Sequence, residues 1–167
     1  YYGNALACAA ELGGRLQVTA GWHYLGESRS DAWGRSRDML GELCRRAEGM
    51  GVQILLEAVS MPGPQLVKTR SHVADMLEEI RSPALGVNGD SLEGYFKAFG
   101  SRIGHVHLVD GTPDGHLAWG DGTRDLARCL DTLEKQGYTG FLTLETVGPA
   151  EYAADPKGTD AKSIQAL

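Results

Sequence analysis

Cysteine is scarce in this sequence, and its pattern argues against a disulfide-stabilised secreted domain. The three cysteines, Cys8, Cys44 and Cys129, are odd in number, scattered, and without C-x-x-C spacing. This pattern suits free thiols in a reducing compartment rather than a disulfide framework. It therefore predicts a cytoplasmic protein.

Long apolar runs and an excess of positive charge are also missing. No apolar run approaches the ~20 residues of a membrane-spanning helix, and no charged-then-apolar leader opens the chain. The net charge is -6 and there is no basic run, which argues against nucleic acid as a partner. With 42% hydrophobic and 23% charged residues, the 167 residues are expected to form one globular domain over 1–167.

Strand-like and helix-like segments alternate along the chain. Helices are expected over 5–12, 31–50, 71–80, 92–99 and 124–136, with a last one from about 160, and strands over 16–20, 52–57, 84–88, 103–109 and 140–145. Asp31 is expected to cap the second helix. Apolar strands separated by helices predict an α/β fold with a parallel sheet covered on both faces.

Polar residues stand where four of the predicted strands end. Glu57 follows "VQILL", Glu145 follows "FLTL", Asp90 follows the third strand, and His107 lies in "IGHVHLVD". Barrel enzymes assemble their chemistry at the carboxyl ends of several strands. No G-x-G-x-x-G motif of an open dinucleotide-binding sheet follows the first strand. A (β/α)8 barrel is therefore favoured over an open doubly wound sheet.

The stretch "IGHVHLVD" sets two histidines one residue apart, so His105 and His107 are expected on one face of a strand. Three carboxylates, Glu57, Asp90 and Glu145, with one imidazole would suit Mn²⁺, Co²⁺ or Mg²⁺, with Zn²⁺ as a further candidate. Each residue alone has an ordinary alternative role, as a helix cap, an ion-pair partner or a hydrogen-bonded core histidine. Together at one barrel face, they predict a metal site.

Five segments follow one another in the order and spacing of a known family. They are "ILLEAVS", "SPALGVNGD", "IGHVHLVDG", "WGDG" and "GYTGFLTLE", preceded by "WGRSRDMLGELCRRAEGMGV". They resemble the C-terminal portion of the xylose isomerase-like TIM-barrel superfamily, in the pattern of its ketose 3-epimerases and fructoselysine 3-epimerase-like sugar epimerases and isomerases. The resemblance covers essentially the whole chain. It implies a (β/α)8 TIM barrel of which this chain supplies the last five β/α units, without the first three.

The resemblance also implies a site and a reaction. One divalent metal ion would be held by Glu57, Asp90, His107 and Glu145, with His105 deeper on the same face. The implied enzyme is an isomerase, either a sugar epimerase or an aldose–ketose isomerase, which abstracts a proton beside a carbonyl and passes through an enediolate. The metal ion polarises that carbonyl, and Glu57 and Glu145 form the expected acid–base pair.

Further residues are candidates for contact with the sugar. His116 and Asp121 follow the "HVHLVD" strand in a loop, and an ordinary solvated role is an equal alternative for both. Trp22 and His23 follow the first strand and are expected to line the sugar pocket. His72, on a helix, is expected at the surface.

The sequence departs from the family pattern at three places. The interval from Asp90 to His107 is 17 residues, shorter than is usual there. Gly63 stands where many members carry a further Glu, and Glu93 stands where the ketose 3-epimerases place a His. These departures bear on the substrate and the reaction, and they leave the four implied ligands untouched.

Two alternatives to an epimerase or isomerase therefore stay open. One is a dehydratase of the same superfamily, of the inosose or dehydroshikimate type. The other is a barrel fragment that binds metal or sugar without turnover. An endonuclease IV-like role is disfavoured, because five histidines and a net charge of -6 suit neither three zinc ions nor a DNA-binding face.

Five barrel strands cannot close, so the first and last strands are expected to expose unpaired backbone edges. The sequence thus predicts five parallel strands in sequential order, completed by N-terminal residues or by another copy. The expected assembly is a homo-oligomer, a dimer or a tetramer. The expected partner is a small sugar, with no nucleic acid and no membrane.

Overall fold

The computed structural model describes residues 2–89, 92–111 and 116–167. Helices and strands alternate along this length. The elements are α1 (Tyr2–Glu11), β1 (Arg15–Thr19), α2 (Arg29–Met50), β2 (Gln53–Glu57), α3 (Arg70–Ile80), β3 (Leu85–Gly89), α4 (Leu92–Phe99), a 3₁₀ turn (Gly100–Arg102), β4 (Ile103–His107), α5 (Leu126–Lys135), β5 (Leu142–Thr143), α6 (Ala150–Ala154) and α7 (Pro156–Ala166). Among the described residues, no helix is both long and apolar enough to cross a bilayer.

The five strands form one sheet in the order β1-β2-β3-β4-β5. Strand β1 runs parallel to β2, β2 runs parallel to β3, and β4 runs parallel to β5. Parallel neighbours need crossover connections, which the intervening helices provide. The prediction of an α/β fold with parallel strands in sequential order, as in consecutive units of a (β/α)8 barrel, is confirmed.

Strands β2 and β3 show why their sequences are so apolar. Ile54 and Leu56 are fully buried on β2, and every residue of β3 is buried. A strand covered on both faces has no solvent side for polar residues. A Cβ on Gly86 would lie 2.8 Å from both Gln53 Nε2 and the Arg102 carbonyl oxygen, so only glycine fits there.

Helix α2 begins earlier than the sequence predicted, and the expected cap was wrong. Ser28 is the N-cap: its Oγ accepts a hydrogen bond from the Asp31 N–H at 3.0 Å and donates one to Asp31 Oδ2 at 2.7 Å. Asp31 therefore lies in the first turn of the helix, where the helix dipole stabilises a negative charge. Gly51 ends the helix in the left-handed conformation, with φ of 67°.

Strand β5 is shorter than predicted, and the chain after it holds two helices rather than one. Leu142 and Thr143 pair with Val106 and His107, and no further residues belong to β5. Phe141 is 79% exposed. A last strand that pairs on one side only has fewer ladder hydrogen bonds to extend it, which explains the shortening.

Contacts divide the chain into two compact units. The first comprises Tyr1–Asn88 and Tyr95–Gly104, and the second comprises Gly89–Gly94 and His105–Leu167. In the first unit, α2 packs on β2 and on α3. In the second unit, Val106, Leu108 and Trp119 are buried. A single domain over residues 1–167 stays a prediction.

Candidate metal centre

Strand β4 presents its two histidines on one face, as predicted. The ring centroids of His105 and His107 are 5.6 Å apart. His105 Nε2 lies 2.8 Å from the Thr143 hydroxyl on β5. His107, the last residue of β4, is only 4% exposed. The neighbouring strand therefore anchors His105, while His107 stands buried at the carboxyl end of β4.

The loop after β4 brings a third histidine back towards β5. Asp110 and Leu117 exchange two backbone hydrogen bonds, of 3.1 and 3.0 Å. The Val147 N–H then donates to the His116 carbonyl oxygen at 2.7 Å. Since Glu145 precedes Val147 by two residues, these bonds place His116 beside the segment that carries Glu145.

These residues meet at one carboxylate oxygen. His107 Nδ1 and His116 Nδ1 each lie 2.8 Å from Glu145 Oε2. One potential ligand atom from each of the three side chains lies within 4.8 Å of the other two. His107 is buried, His116 is 29% exposed and Glu145 is 38% exposed. We call His107, His116 and Glu145 the His/His/Glu cluster.

The cluster fits a divalent cation. Glu145 Oε2 and His116 Nδ1 are buried atoms, and neither makes a hydrogen bond to any described residue. Buried polar atoms are normally hydrogen-bonded, so a pair this close without a directed bond indicates a missing partner. Two imidazoles and a carboxylate are ligands of Zn²⁺, Co²⁺ and Mn²⁺, and three protein ligands leave a coordination position open.

Glu57 has different surroundings in the first compact unit. It is the last residue of β2. Its Oε2 accepts a hydrogen bond from Gln17 Nε2 at 2.8 Å, and its Oε1 accepts one from Asn88 Nδ2 at 3.3 Å. Asp90, the remaining implied ligand, lies outside the described residues. The four-ligand assignment therefore stays a prediction, and within it His107 and Glu145 lie together.

Trp22 and His23 lie in the first unit, beyond the end of β1. Trp22 forms an isolated antiparallel bridge with Gln65 and is 57% exposed. The His23 N–H donates to the Pro64 carbonyl oxygen at 3.1 Å. Their assignment to a sugar pocket stays a prediction.

Asp121 is already engaged within the second unit. Its Oδ2 accepts a hydrogen bond from the Tyr152 hydroxyl at 2.6 Å, and its Oδ1 forms an ion pair with Lys162. The Lys162 ammonium, followed by the Tyr152 hydroxyl, lowers the pKa of Asp121 below its ordinary value. Asp121 thus has a structural role, and its contact with a sugar stays a prediction.

Glu93 replaces the family's histidine with an ion pair. Both of its carboxylate oxygens accept hydrogen bonds from Arg128, each at 2.9 Å. This hydrogen-bonded guanidinium lowers the pKa of Glu93. A neutral imidazole at this position could both donate and accept hydrogen bonds, whereas an ionised carboxylate paired with Arg128 only accepts them.

Sequence reasoning missed two features of this region. His116 was a candidate for sugar contact, and its place beside Glu145 depends on a loop that the strand pattern does not reveal. Asp110 was not singled out, although an aspartate directly after an apolar strand was a usable signal. It is only 2% exposed.

Parallel strands that alternate with helices, with a His/His/Glu cluster at the carboxyl ends of β4 and β5, define a β/α-barrel protein with a candidate metal centre. The family model of the xylose isomerase-like TIM barrel matches residues 1–166. The chain belongs to this family.

Curated relatives of the chain include sugar epimerases. The fructoselysine 3-epimerases of Escherichia coli and Shigella flexneri are each 30% identical over 126 residues, covering 69% of this chain and 46% of theirs. The L-ribulose-5-phosphate 3-epimerase UlaE of Escherichia coli is 27% identical over 174 aligned positions, covering 96% of this chain and 59% of its own. The chain thus spans about half the length of the curated relatives it matches.

Solved structures share the fold. A crystal structure of the IOLI protein with a bound zinc atom has a TM-score of 0.77 at 20% identity, over 98% of this chain and 65% of that one. D-allulose 3-epimerase from Methylomonas sp. has a TM-score of 0.76 at 21% identity, over 98% and 66%. At such identities the likeness concerns the fold alone.

Proposed function

We propose that the protein acts as a metal-dependent epimerase or isomerase of a sugar or sugar derivative. The observation that carries the proposal is the meeting of two imidazole nitrogens with one carboxylate oxygen in the His/His/Glu cluster. Family membership and the sugar epimerases among the relatives supply the substrate class. The proposed metal ion is Mn²⁺ or Co²⁺, with Mg²⁺ and Zn²⁺ as further candidates.

The cluster would hold the metal ion through His107 Nδ1, His116 Nδ1 and Glu145 Oε2. The resemblance adds Glu57 and Asp90 to this ligand set. A divalent cation held there supplies Lewis-acid polarisation of the substrate carbonyl. His105, fixed by the Thr143 hydroxyl, packs beside His107 and limits how that ring can turn.

Proton transfer is the task of the chain's own carboxylates. Epimerisation beside a carbonyl removes a proton from one face of a carbon, leaving an enediolate, and returns a proton to the other face. Glu145 is 38% exposed, so a substrate can reach its carboxylate while Oε2 faces the two imidazoles. Glu57 is the proposed second acid–base group, on the ground of the family resemblance.

Deuterium exchange tests this chemistry. The protein, supplied with Mn²⁺ and incubated with ketoses in D₂O, should introduce one deuterium at the carbon that is epimerised, detectable by NMR. A chelator should abolish the exchange, and added Mn²⁺ or Co²⁺ should restore it. The variant Trp33→Phe, altered on helix α2, serves as the control and should exchange normally. Turnover that survives complete metal removal would contradict the proposal, and release of water from the substrate would favour the dehydratase.

The proposal extends to the assembly and its compartment. Phe141 and Leu142, at edge strand β5, are 79% and 42% exposed, and such an edge favours pairing with further strands or with a second copy. Cys8, Cys44 and Cys129 are all free, as expected of a protein in the reducing cytoplasm. Light scattering should give a mass above the 17.9 kDa of one chain. A stable monomer would contradict the proposed assembly.

A further inference from the structure

Asp110 is a buried carboxylate surrounded by backbone donors. It is 2% exposed. Its Oδ1 accepts hydrogen bonds from the Gly111 N–H at 2.7 Å and the Arg124 N–H at 2.9 Å, and its Oδ2 accepts from the Gly120 and Gly122 N–H groups at 3.0 and 2.9 Å. Burying an ionised carboxylate is costly unless its oxygens are fully hydrogen-bonded, and four N–H donors meet that need.

The four donors come from Gly111 and from the described part of the same connection, residues 116–124. They stand at its first residue and at three positions near its end, so Asp110 ties together the two ends of the segment that carries His116. The backbone pair between Asp110 and Leu117 fixes the residue next to His116. Two side chains of the loop also hydrogen-bond to the backbone before Asp110. The Trp119 indole N–H donates to the Leu108 carbonyl oxygen, and the Arg124 guanidinium donates to the Val109 carbonyl oxygen.

The outer side of the loop is held by the C-terminal helices. The Ala118 N–H donates to the Tyr152 hydroxyl on α6, and the Trp119 N–H donates to Ser163 Oγ on α7, each at 3.1 Å. These bonds fix the middle of the loop, and the Asp110 carboxylate fixes its ends. His116 thus projects from a segment that is anchored on both sides.

We propose that Asp110 is a positioning residue for the metal centre, acting through His116. Its carboxylate sets the loop so that His116 Nδ1 stays 2.8 Å from Glu145 Oε2. Asp110 itself accepts its hydrogen bonds from loop backbone and not from the cluster. The inference rests on the proposed function, because it assigns Asp110 a task only if the cluster binds a metal ion.

The variant Asp110→Asn tests the assignment. An asparagine keeps one oxygen acceptor, but its amide N–H groups would face two of the four backbone donors. Two of the four hydrogen bonds that hold the loop are therefore lost. We expect zinc binding, measured by calorimetry on the folded variant, to weaken by roughly 10–100-fold, the usual cost of removing a group that orients a metal ligand. The control Asp125→Ala removes the N-cap of α5 in the same unit and should leave zinc affinity unchanged.

A double-mutant cycle separates positioning from general weakening. In a His116→Ala background, Asp110→Asn should cost no further zinc affinity, because the residue through which it acts is gone. Additive losses, an unchanged affinity in Asp110→Asn, or an equal loss in Asp125→Ala would each overturn the assignment. If the wild-type protein binds neither zinc nor Mn²⁺ or Co²⁺, the proposed function fails, and the assignment falls with it.

A second variant keeps the test available if Asp110→Asn does not fold. A Cβ on Gly122 would collide with Asp110 Oδ1, so Gly122→Ala displaces the same carboxylate while leaving its charge in place. Its zinc affinity should fall in the same direction, again without further loss in the His116→Ala background. Wild-type affinity in Gly122→Ala would overturn the assignment.

Discussion

Glu57 ends strand β2 and Glu145 follows strand β5 by two residues, one carboxylate in each compact unit, and their surroundings differ. The oxygens of Glu57 accept hydrogen bonds from the amides of Gln17 and Asn88. Oε2 of Glu145 faces the Nδ1 atoms of His107 and His116 at equal distances of 2.8 Å, without a directed hydrogen bond from His116.

The difference lies in what each set of neighbours can supply. An amide N–H always donates, so the Gln17 and Asn88 amides suit the ionised form of the carboxylate. An imidazole Nδ1 carries either a proton, which can pair with the carboxylate, or a lone pair, which facing a carboxylate oxygen is stabilised when one cation binds both atoms. The surroundings of Glu145 therefore fit a metal ion, whereas the hydrogen bonds from Gln17 and Asn88 stabilise the ionised carboxylate of Glu57.

The largest effect is expected from Glu145→Gln, because this change removes both a ligand and a proton acceptor. Loss of a general base typically lowers turnover by 10²–10⁴-fold, and weaker metal binding adds to that loss. Turnover of a ketose at saturating Mn²⁺ gives the measurement, with circular dichroism as the check on folding. Unimpaired turnover in Glu145→Gln would end the two-base hypothesis.

The matching change at the other carboxylate, Glu57→Gln, sharpens the comparison. Turnover should again fall by roughly 10²–10⁴-fold, but zinc affinity should fall less than in Glu145→Gln, because the His/His/Glu cluster stays whole. The new amide N–H would also oppose the Gln17 and Asn88 donors. Calorimetric titration of both variants with zinc measures this difference. An equal loss of zinc affinity in the two variants would contradict the expected difference between Glu57 and Glu145.

A smaller effect on turnover, but a large one on affinity, is expected from His107→Ala and His116→Ala. Each variant removes one imidazole ligand. Zinc affinity should therefore fall by more than the roughly 10–100-fold that follows the loss of a residue that only orients a ligand. Excess Mn²⁺ or Co²⁺ should partly restore activity, because the carboxylates remain. His72→Ala, on helix α3, is the control. Loss of activity without any change in affinity would assign His116 to the sugar instead.

The smallest effect concerns stability and its pH dependence at Asp110. Burial alone raises the pKa of this carboxyl group, but its four backbone hydrogen bonds outweigh that effect, and the net pKa is lowered. A lowered pKa contributes stability that is complete above the unfolded value of about 3.9 and is lost as the pH falls through the folded value. Asp110→Asn should thus cost about 1–3 kcal/mol at pH 7.

Urea unfolding at several pH values checks this expectation. The difference in free energy of unfolding between the wild type and Asp110→Asn should stay constant from pH 7 to about 4 and shrink as the pH falls below the unfolded pKa of about 3.9. Asp125→Ala, which removes an exposed cap, is the comparison variant. A difference that stays constant with pH would show that the Asp110 carboxylate is not charged in the folded protein.

The strand pattern predicted most of the fold, because apolar runs between helical segments leave few alternatives. It set the end of β2 correctly, at Glu57, but extended β4 to Val109, two residues beyond its end at His107. It extended β5 too far, since an edge strand depends on partners that the local sequence does not encode. It took Asp31 as the helix cap, whereas the cap is Ser28, which hydrogen-bonds to Asp31.

Part of the candidate site was predictable because the apolar strands themselves were predictable. His107 ends β4 and Glu145 follows β5 by two residues, so the strand pattern brought both close to their observed places although it extended both strands too far. His116 depends on the Asp110–Leu117 and His116–Val147 backbone pairs, which are contacts formed by a loop and not by a periodic pattern.

A zinc titration of the ¹⁵N-labelled wild-type protein, followed through its imidazole nitrogens by NMR, tests the His/His/Glu cluster directly. The chain has five histidines, so three of them act as internal references. The Nδ1 resonances of His107 and His116 should move together to the values of metal-bound imidazole at one equivalent of zinc, while those of His23, His72 and His105 stay in place. Zinc that shifts neither His107 nor His116, or that binds only at other histidines, would contradict the metal centre.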